Sequence, residues 1–131
     1  MMLRRHSVFA AAVLTASVLG SGAFAQDVTR TPLQTYPLPT VATDAVTVLA
    51  EIKAGGTTGR HTHPGVEMSF VADGQITLKV DGQPDKAVKA GESFMIDAMK
   101  VHEAVATADK NAKIVVTYVV TRGQPVTTPA P

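Results

Sequence analysis

Residues 55–74 read Gly55-Gly56-Thr57-Thr58-Gly59-Arg60-His61-Thr62-His63-Pro64-Gly65-Val66-Glu67-Met68-Ser69-Phe70-Val71-Ala72-Asp73-Gly74. Side chains two apart on a strand point to one face, so His61 and His63 can both turn inward. The Pro64-Gly65 bend then lets Glu67 reach the same inner face from the next strand. Two imidazoles and a carboxylate at this spacing can close on one metal ion. His102 would come from a different strand and complete the shell. Beyond residue 25 the chain has no other histidine. A His-x-His pair alone also arises by chance on polar loops. Glu67, His102 and the bracketing Gly55 and Gly74 weigh against chance here. Ligands of this kind bind deprotonated, so metal affinity is expected to fall as the histidines protonate near about pH 6.

Outward from this stretch the pattern is that of strands. Val46, Val48, Ala50 and Ile52 alternate with Thr47, Leu49 and Glu51. Residues 66–72 form a second run. Ile76, Leu78 and Val80 alternate with Thr77, Lys79 and Asp81, and Asp81-Gly82 signals a hairpin. Residues 93–96, 102–106 and 112–121 supply three more runs, the last with Ile114, Val116, Tyr118 and Val120 on one face. No segment after residue 25 carries a helical period with caps. Short strands separated by glycine turns indicate an all-β sandwich or barrel.

The ends differ from this middle. Residues 1–25 have a charged start at Arg4 and Arg5, an apolar run over 8–19 and Ala23-Phe24-Ala25, the pattern of a cleaved secretory leader. The apolar run is short for a membrane anchor. The expected mature chain therefore starts at Gln26 and is periplasmic or secreted, free of the membrane after cleavage. Residues 26–40 contain Pro32, Pro37 and Pro39 and are expected to be an extended arm without a ladder. The barrel is expected over 41–122. Residues 123–131, with Pro125, Pro129 and Pro131, are expected to be a flexible tail.

The leader holds two of the twelve Lys and Arg and none of the eleven Asp and Glu, leaving ten against eleven. No basic field remains to attract nucleic acid. The aromatics that follow, Tyr36, Phe70, Phe94 and Tyr118, are too few for a base-stacking platform. The chain has no cysteine, so its stability cannot rest on disulfides.

The histidine stretch resembles the first motif of the cupin superfamily, Gly-x5-His-x-His-x3-Glu-x6-Gly, without departure. The second cupin motif, Gly-x5-Pro-x-Gly-x2-His-x3-Asn, is matched at Gly91 and His102, with Asp97, Met99 and Ala106 in place of Pro, Gly and Asn. The resemblance covers roughly residues 41–122. It implies a single-domain jelly roll or β-barrel with the metal inside, and His61, His63, Glu67 and His102 as ligands. It further implies one divalent transition metal, iron or manganese for redox work, with nickel, zinc or copper also fitting the donors. A dioxygenase-type oxidoreductase acting on a small oxygenated or acidic molecule is the expected activity. A non-catalytic binding or sensing module is the rival, because one fold serves both ends. An isomerase or lyase would need a base that the sequence does not offer. Cupins commonly form homodimers, some by exchanging an N-terminal strand, and Tyr36 and Leu38 could anchor such an exchange.

Other residues have two readings each. Tyr118 can donate a proton or hydrogen bond to a ligand, or simply fill the core with its hydroxyl at the rim. Arg60 can steer an acid at the mouth or be a solvated loop residue. Met68, Met95 and Met99 can bring sulfur to copper or pack in the core. Phe70 and Phe94 read as core. Ser69 faces the cavity but lacks a base to make it a nucleophile. Met99 stands where a glycine often takes a positive φ, so this turn is expected to follow another path and Met99 to reach toward the pocket.

Overall fold

The computed structural model describes residues 27–39 and 41–131; the leader, Gln26 and Thr40 lie outside the described residues. Ten strands follow in order: β1 Val28–Pro37, β2 Thr43–Ile52, β3 His61–Thr62, β4 Val66–Asp73, β5 Gln75–Val80, β6 Lys86–Lys89, β7 Ser93–Ile96, β8 His102–Ala106, β9 Ala112–Thr121 and β10 Thr128–Pro129. They form two five-stranded antiparallel sheets, ordered β1-β2-β9-β4-β7 and β10-β3-β8-β5-β6. The chain is all-β, and no helix occurs among the described residues.

Alternation decides which side chains meet between the sheets. Val48, Ala50 and Ile52 of β2, Ile76 and Leu78 of β5, and Ile114, Val116, Tyr118 and Val120 of β9 are buried. Ile52, Val71, Ile76 and Val88 are sealed from solvent, and burial of each favours folding by about 1.5–3 kcal/mol. Phe94 joins this core, whereas Phe70 faces outward and is exposed. The reason is phase. Glu67, Ser69 and Val71 point inward from β4, so Met68 and Phe70 must point out.

Two turns position the site. At Gly65 a Cβ would lie 1.8 Å from the Val119 carbonyl oxygen, so the chain entering β4 passes too close to β9 for any side chain. Gly65 thereby sets the phase of β4. The second turn is the one before His102. Met99 takes φ 61°, the conformation of the glycine it replaces, so the turn keeps its path after all. A non-glycine residue there carries strain of about 1–2 kcal/mol. The Met99 amide donates to the His63 carbonyl at 2.8 Å, which ties this turn to the histidine pair. The Met99 side chain is exposed and does not line the pocket.

Both ends are more ordered than their prolines suggested. Residues 28–37 form a full edge strand on β2, and the ladder shifts register between Pro32 and Gln34 instead of breaking. An edge strand tolerates proline, because one row of its backbone groups faces solvent and a bulge absorbs the missing donor. At the other end β10 pairs with β3, the Ala130 amide donates to the Arg60 carbonyl, and the Arg60 Nε donates to the Pro131 carbonyl at 2.7 Å. The segment 123–131 therefore folds back across the barrel beside the histidines.

Candidate metal centre

His61 lies in β3, His63 one residue beyond its end, Glu67 in β4 and His102 at the start of β8. His61 and His102 are cross-strand partners. The structure brings all four together: their ligand atoms lie within 4.8 Å of one another, and all four residues are buried. The three imidazole centroids stand 4.3–5.0 Å apart.

The hydrogen bonds decide what the rings present to the centre. The Nδ1 of His61 faces the Gly59 carbonyl at 2.7 Å, that of His63 the Val126 carbonyl at 2.7 Å, and that of His102 the Lys100 carbonyl at 2.9 Å. A carbonyl only accepts, so each Nδ1 carries the proton and each neutral ring offers its Nε2 lone pair. Glu67 is oriented in the same way. Its Oε1 accepts from the Ser69 hydroxyl at 2.6 Å, while Oε2 lies 2.9 Å from His63 Nε2 and 3.2 Å from His102 Nε2. Lone pairs and a carboxylate thus face one another. The His63 Nε2 is buried and has no hydrogen-bond partner, since a lone pair cannot donate to the Glu67 oxygen 2.9 Å away. Buried polar atoms are rarely left orphaned, and a cation among these donors would satisfy them all. Metal bonds of about 2.0–2.2 Å put neighbouring donors about 3 Å apart, close to the Glu67–His63 and Glu67–His102 separations. Three imidazoles and one carboxylate therefore fit a divalent first-row metal and leave coordination positions open.

The electrostatics agree. Burial, followed by the neighbouring His102 and His63, lowers the His61 pKa to about 4, against a weaker raising effect of its bond to Gly59. This ligand stays neutral well below the range near pH 6 expected from the sequence. Burial would raise the Glu67 carboxyl, but hydrogen bonds from His102, His63 and Ser69 outweigh it and hold the group well below the usual carboxylate range, the two imidazoles acting this way only with a proton on Nε2. Burial and the nearby Glu67 charge raise the Tyr118 hydroxyl, so it stays protonated and can only donate or accept a hydrogen bond.

A narrow pocket, with about 20 Å³ open to the centres of water-sized molecules, leads to the cluster. His61, Glu67 and His102 form its polar end, and Ala50, Leu78, Phe94, Ile114 and Val116 are among its apolar walls. Tyr118 lines it too, with its ring 4.6 Å from that of His63 and its Cα paired with Glu67. Ser69 is no nucleophile but a donor that orients Glu67. Arg60 is not at this mouth; it makes a forked pair with Asp81, both bonds 2.9 Å. Met68, Met95 and Met99 are all exposed, so none brings sulfur to the cluster or packs in the core. Sequence reasoning missed Arg30, which lines the pocket from β1, and the Val126 carbonyl that orients His63. Alternation along residues 28–32 would have signalled the first; a backbone oxygen leaves no mark in a sequence.

A family model described as a cupin domain matches residues 48–118. No curated protein matches the chain by sequence. Among solved structures, a double-stranded β-helix protein from Klebsiella pneumoniae superposes with a TM-score of 0.64 at 19% identity, covering 81% of this chain and 86% of that one. The polyketide cyclase RemF from Streptomyces resistomycificus gives 0.63 at 22% identity, covering 76% and 70%. A recombinant oxalate oxidase in complex with glycolate gives 0.63 at 22%, covering 79% of this chain but only 55% of that one. Likeness at these identities speaks for the shared double-sheet fold.

Proposed function

Because this chain belongs to the cupin family, we propose that it is an exported metal-dependent oxidoreductase of the dioxygenase type, acting on a small oxygenated or acidic molecule with iron or manganese. The observation that carries the reading is the convergence of three Nε2 lone pairs and Glu67 Oε2 at the blind end of an apolar pocket. When bound, the ion supplies Lewis acidity and, if it is iron or manganese, a redox partner. His61, His63, Glu67 and His102 hold it. Ser69 keeps Glu67 in one orientation. Tyr118, protonated and beside His63, donates a hydrogen bond to an oxygen of the bound molecule. Leu78, Phe94, Ile114 and Val116 keep bulk water from the reacting end.

One observation favours a binding or sensing module without turnover. Apart from the ligands, the polar side chains lining the pocket among the described residues are Arg30, Thr58 and Tyr118, none of which is a general base. Elemental analysis of protein purified from the exporting compartment, followed by oxygen uptake with catechols, flavonols, oxalate and β-dicarbonyls, separates the two. Oxygen consumption that disappears in His61→Ala is the expected result. Bound metal with no consumption on any substrate would leave the binding module standing. Export itself is read from the leader sequence, and N-terminal sequencing of the exported protein should begin at Gln26.

The homodimer is part of the same proposal. Met68 and Met95 are cross-strand partners on the outer face of the first sheet, and Phe70 lies one row away beside Val115 and Leu49. Met68, Phe70 and Met95 are exposed by 42%, 47% and 69%. An apolar row of this kind on a monomer marks an association surface. The self-complementary occupant is a second copy, set by a two-fold axis.

A further inference from the structure

The pocket has an inner end made of ligands and a mouth where one cation stands. Arg30 is in β1, with its Cα paired to Ala50. Val28 and Pro32 pair with Ile52 and Val48, and all three β2 partners face the interior. Arg30 thus occupies the inward-facing phase of an edge strand, where its neighbours are apolar and its side chain is free to reach over the rim. Among the described residues lining the pocket it is the only cation. The other arginines near the barrel rim are committed: Arg60 to Asp81 and Arg122 to Asp44. Arg30 forms no ion pair with any described acid, and residues 1–26 and 40 contain none. Arg30 and Tyr118 line the same pocket, and the Tyr118 ring stands 4.6 Å from that of His63.

A guanidinium recognises a carboxylate through a planar fork of two hydrogen bonds. The low-dielectric walls between the mouth and the cluster strengthen such a pair. They also give an apolar body something to lie against, and the small volume of the pocket favours a short one.

We propose that Arg30 is the carboxylate-recognising residue of this pocket, holding the acid group of a short oxo- or hydroxy-acid whose second oxygen reaches the His61, His63, Glu67 and His102 cluster. The proposal rests on the reading of the pocket as a small-molecule site beside a metal, and it narrows the ligand from oxygenated or acidic to acidic. Arg30 acts as a specificity-determining residue. Its partner in orientation is Tyr118, which lines the same pocket beside His63.

The test uses the full exported chain loaded with zinc, which prevents turnover. Calorimetric titration compares 2-oxobutyrate and 2-hydroxybutyrate with neutral 2,3-pentanedione, a diketone of similar size without the acid group. The wild type is expected to bind at least one acid more tightly than the diketone. Arg30→Gln should weaken acid binding at least tenfold and leave diketone binding within about twofold. Arg30→Lys should recover part of the loss, since it restores charge without the fork. Equal acid binding by wild type and Arg30→Gln would overturn the proposal, and so would a wild type that binds neither acid. Elemental analysis and thermal melts run in parallel. Wild type that retains no metal defeats the metal-centre reading. Full metal and an unchanged melt, with acid binding indifferent to Arg30, defeats only the assignment of Arg30.

Discussion

The two faces of β4 invert the usual arrangement. Inside stand Glu67 and Ser69, both about 95% buried; outside stand Met68 and Phe70, both more than 40% exposed. Burying a carboxylate is costly unless it is paired, and Glu67 is paired on one oxygen by Ser69 and faced on the other by two imidazoles. Exposing two large apolar side chains beside Met95 is likewise unfavourable for an isolated monomer. The inner group could hold an ion, and the proposed dimer would cover the outer face. The contrast also teaches how little separates them. A shift of one residue in β4 would exchange the two sets of side chains.

The sharpest way to break the contrast is at the bend that sets this phase. Gly65→Ala places a methyl against the Val119 carbonyl, and relief requires the β4–β9 ladder to move. A loss of about 3–5 kcal/mol is expected in denaturant unfolding, with metal retention lost alongside. Stability within 1 kcal/mol of wild type, by the same measure and on the scale of ordinary surface changes, would show that the bend does not control the phase.

On the inner face, Glu67→Ala should lower metal affinity on the order of 100-fold or more, because it removes the one anionic donor. Dialysis against a chelator with elemental analysis reads this directly. The same treatment of His102→Ala should also greatly weaken retention. Undiminished metal in the His102 variant would reduce the shell to three ligands.

Acid tests the inner face without mutation. The pKa of His61 in the folded chain is lowered from 6.5 to about 4, so the folded state binds fewer protons there than the unfolded chain. Its contribution is fully present above about pH 6.5 and is lost as pH falls from there through about 4, by about 3 kcal/mol at most. Glu67 acts later. Its lowered pKa contributes stability above its ordinary value of 4.5, lost as pH falls through the folded value. Metal-free protein should therefore show unfolding midpoints that decline already between pH 6.5 and 4, and His61→Gln should flatten that part of the curve. A wild-type midpoint constant over this interval would contradict the neutral-imidazole assignment.

The smallest effect on the fold itself is expected outside. Phe70→Glu combined with Met68→Glu should convert a dimer to a monomer in sedimentation while changing monomer stability by only about 0.5 kcal/mol. Dimers that persist in the double variant would move the interface elsewhere, with the β1 edge and exposed Tyr36 the next surface to examine.

Much of the centre was legible because its information is local. The spacing of His61, His63 and Glu67 fixes their phase along two short strands, and the barrel strands over residues 46–52, 66–72, 76–80 and 112–121 follow from alternation alone. The errors cluster where neighbours decide. Prolines in 28–37 argued against a ladder, yet an edge position and a register shift accommodate them. Phe70 read as core by its chemistry, but the phase imposed by Glu67 turned it out. Met99 argued for a new turn, and the contacts on either side of it held the old one at some strain.

The sequence by itself determined that four donors and an all-β frame belong together, because side-chain periodicity and ligand spacing are properties of the chain read in order. Only the tertiary structure decided which nitrogen each imidazole presents, since the Val126 carbonyl meets His63 across 63 positions and any residue type would supply that oxygen. Packing alone likewise decided that Arg30, not Arg60, stands at the pocket mouth. Arg60 met Asp81 and the chain's last carbonyl, while the pairing of β1 with β2 carried Arg30 over the rim. Contacts between distant segments are settled by packing and by which charges find partners first, and neither is written in the spacing of nearby residues.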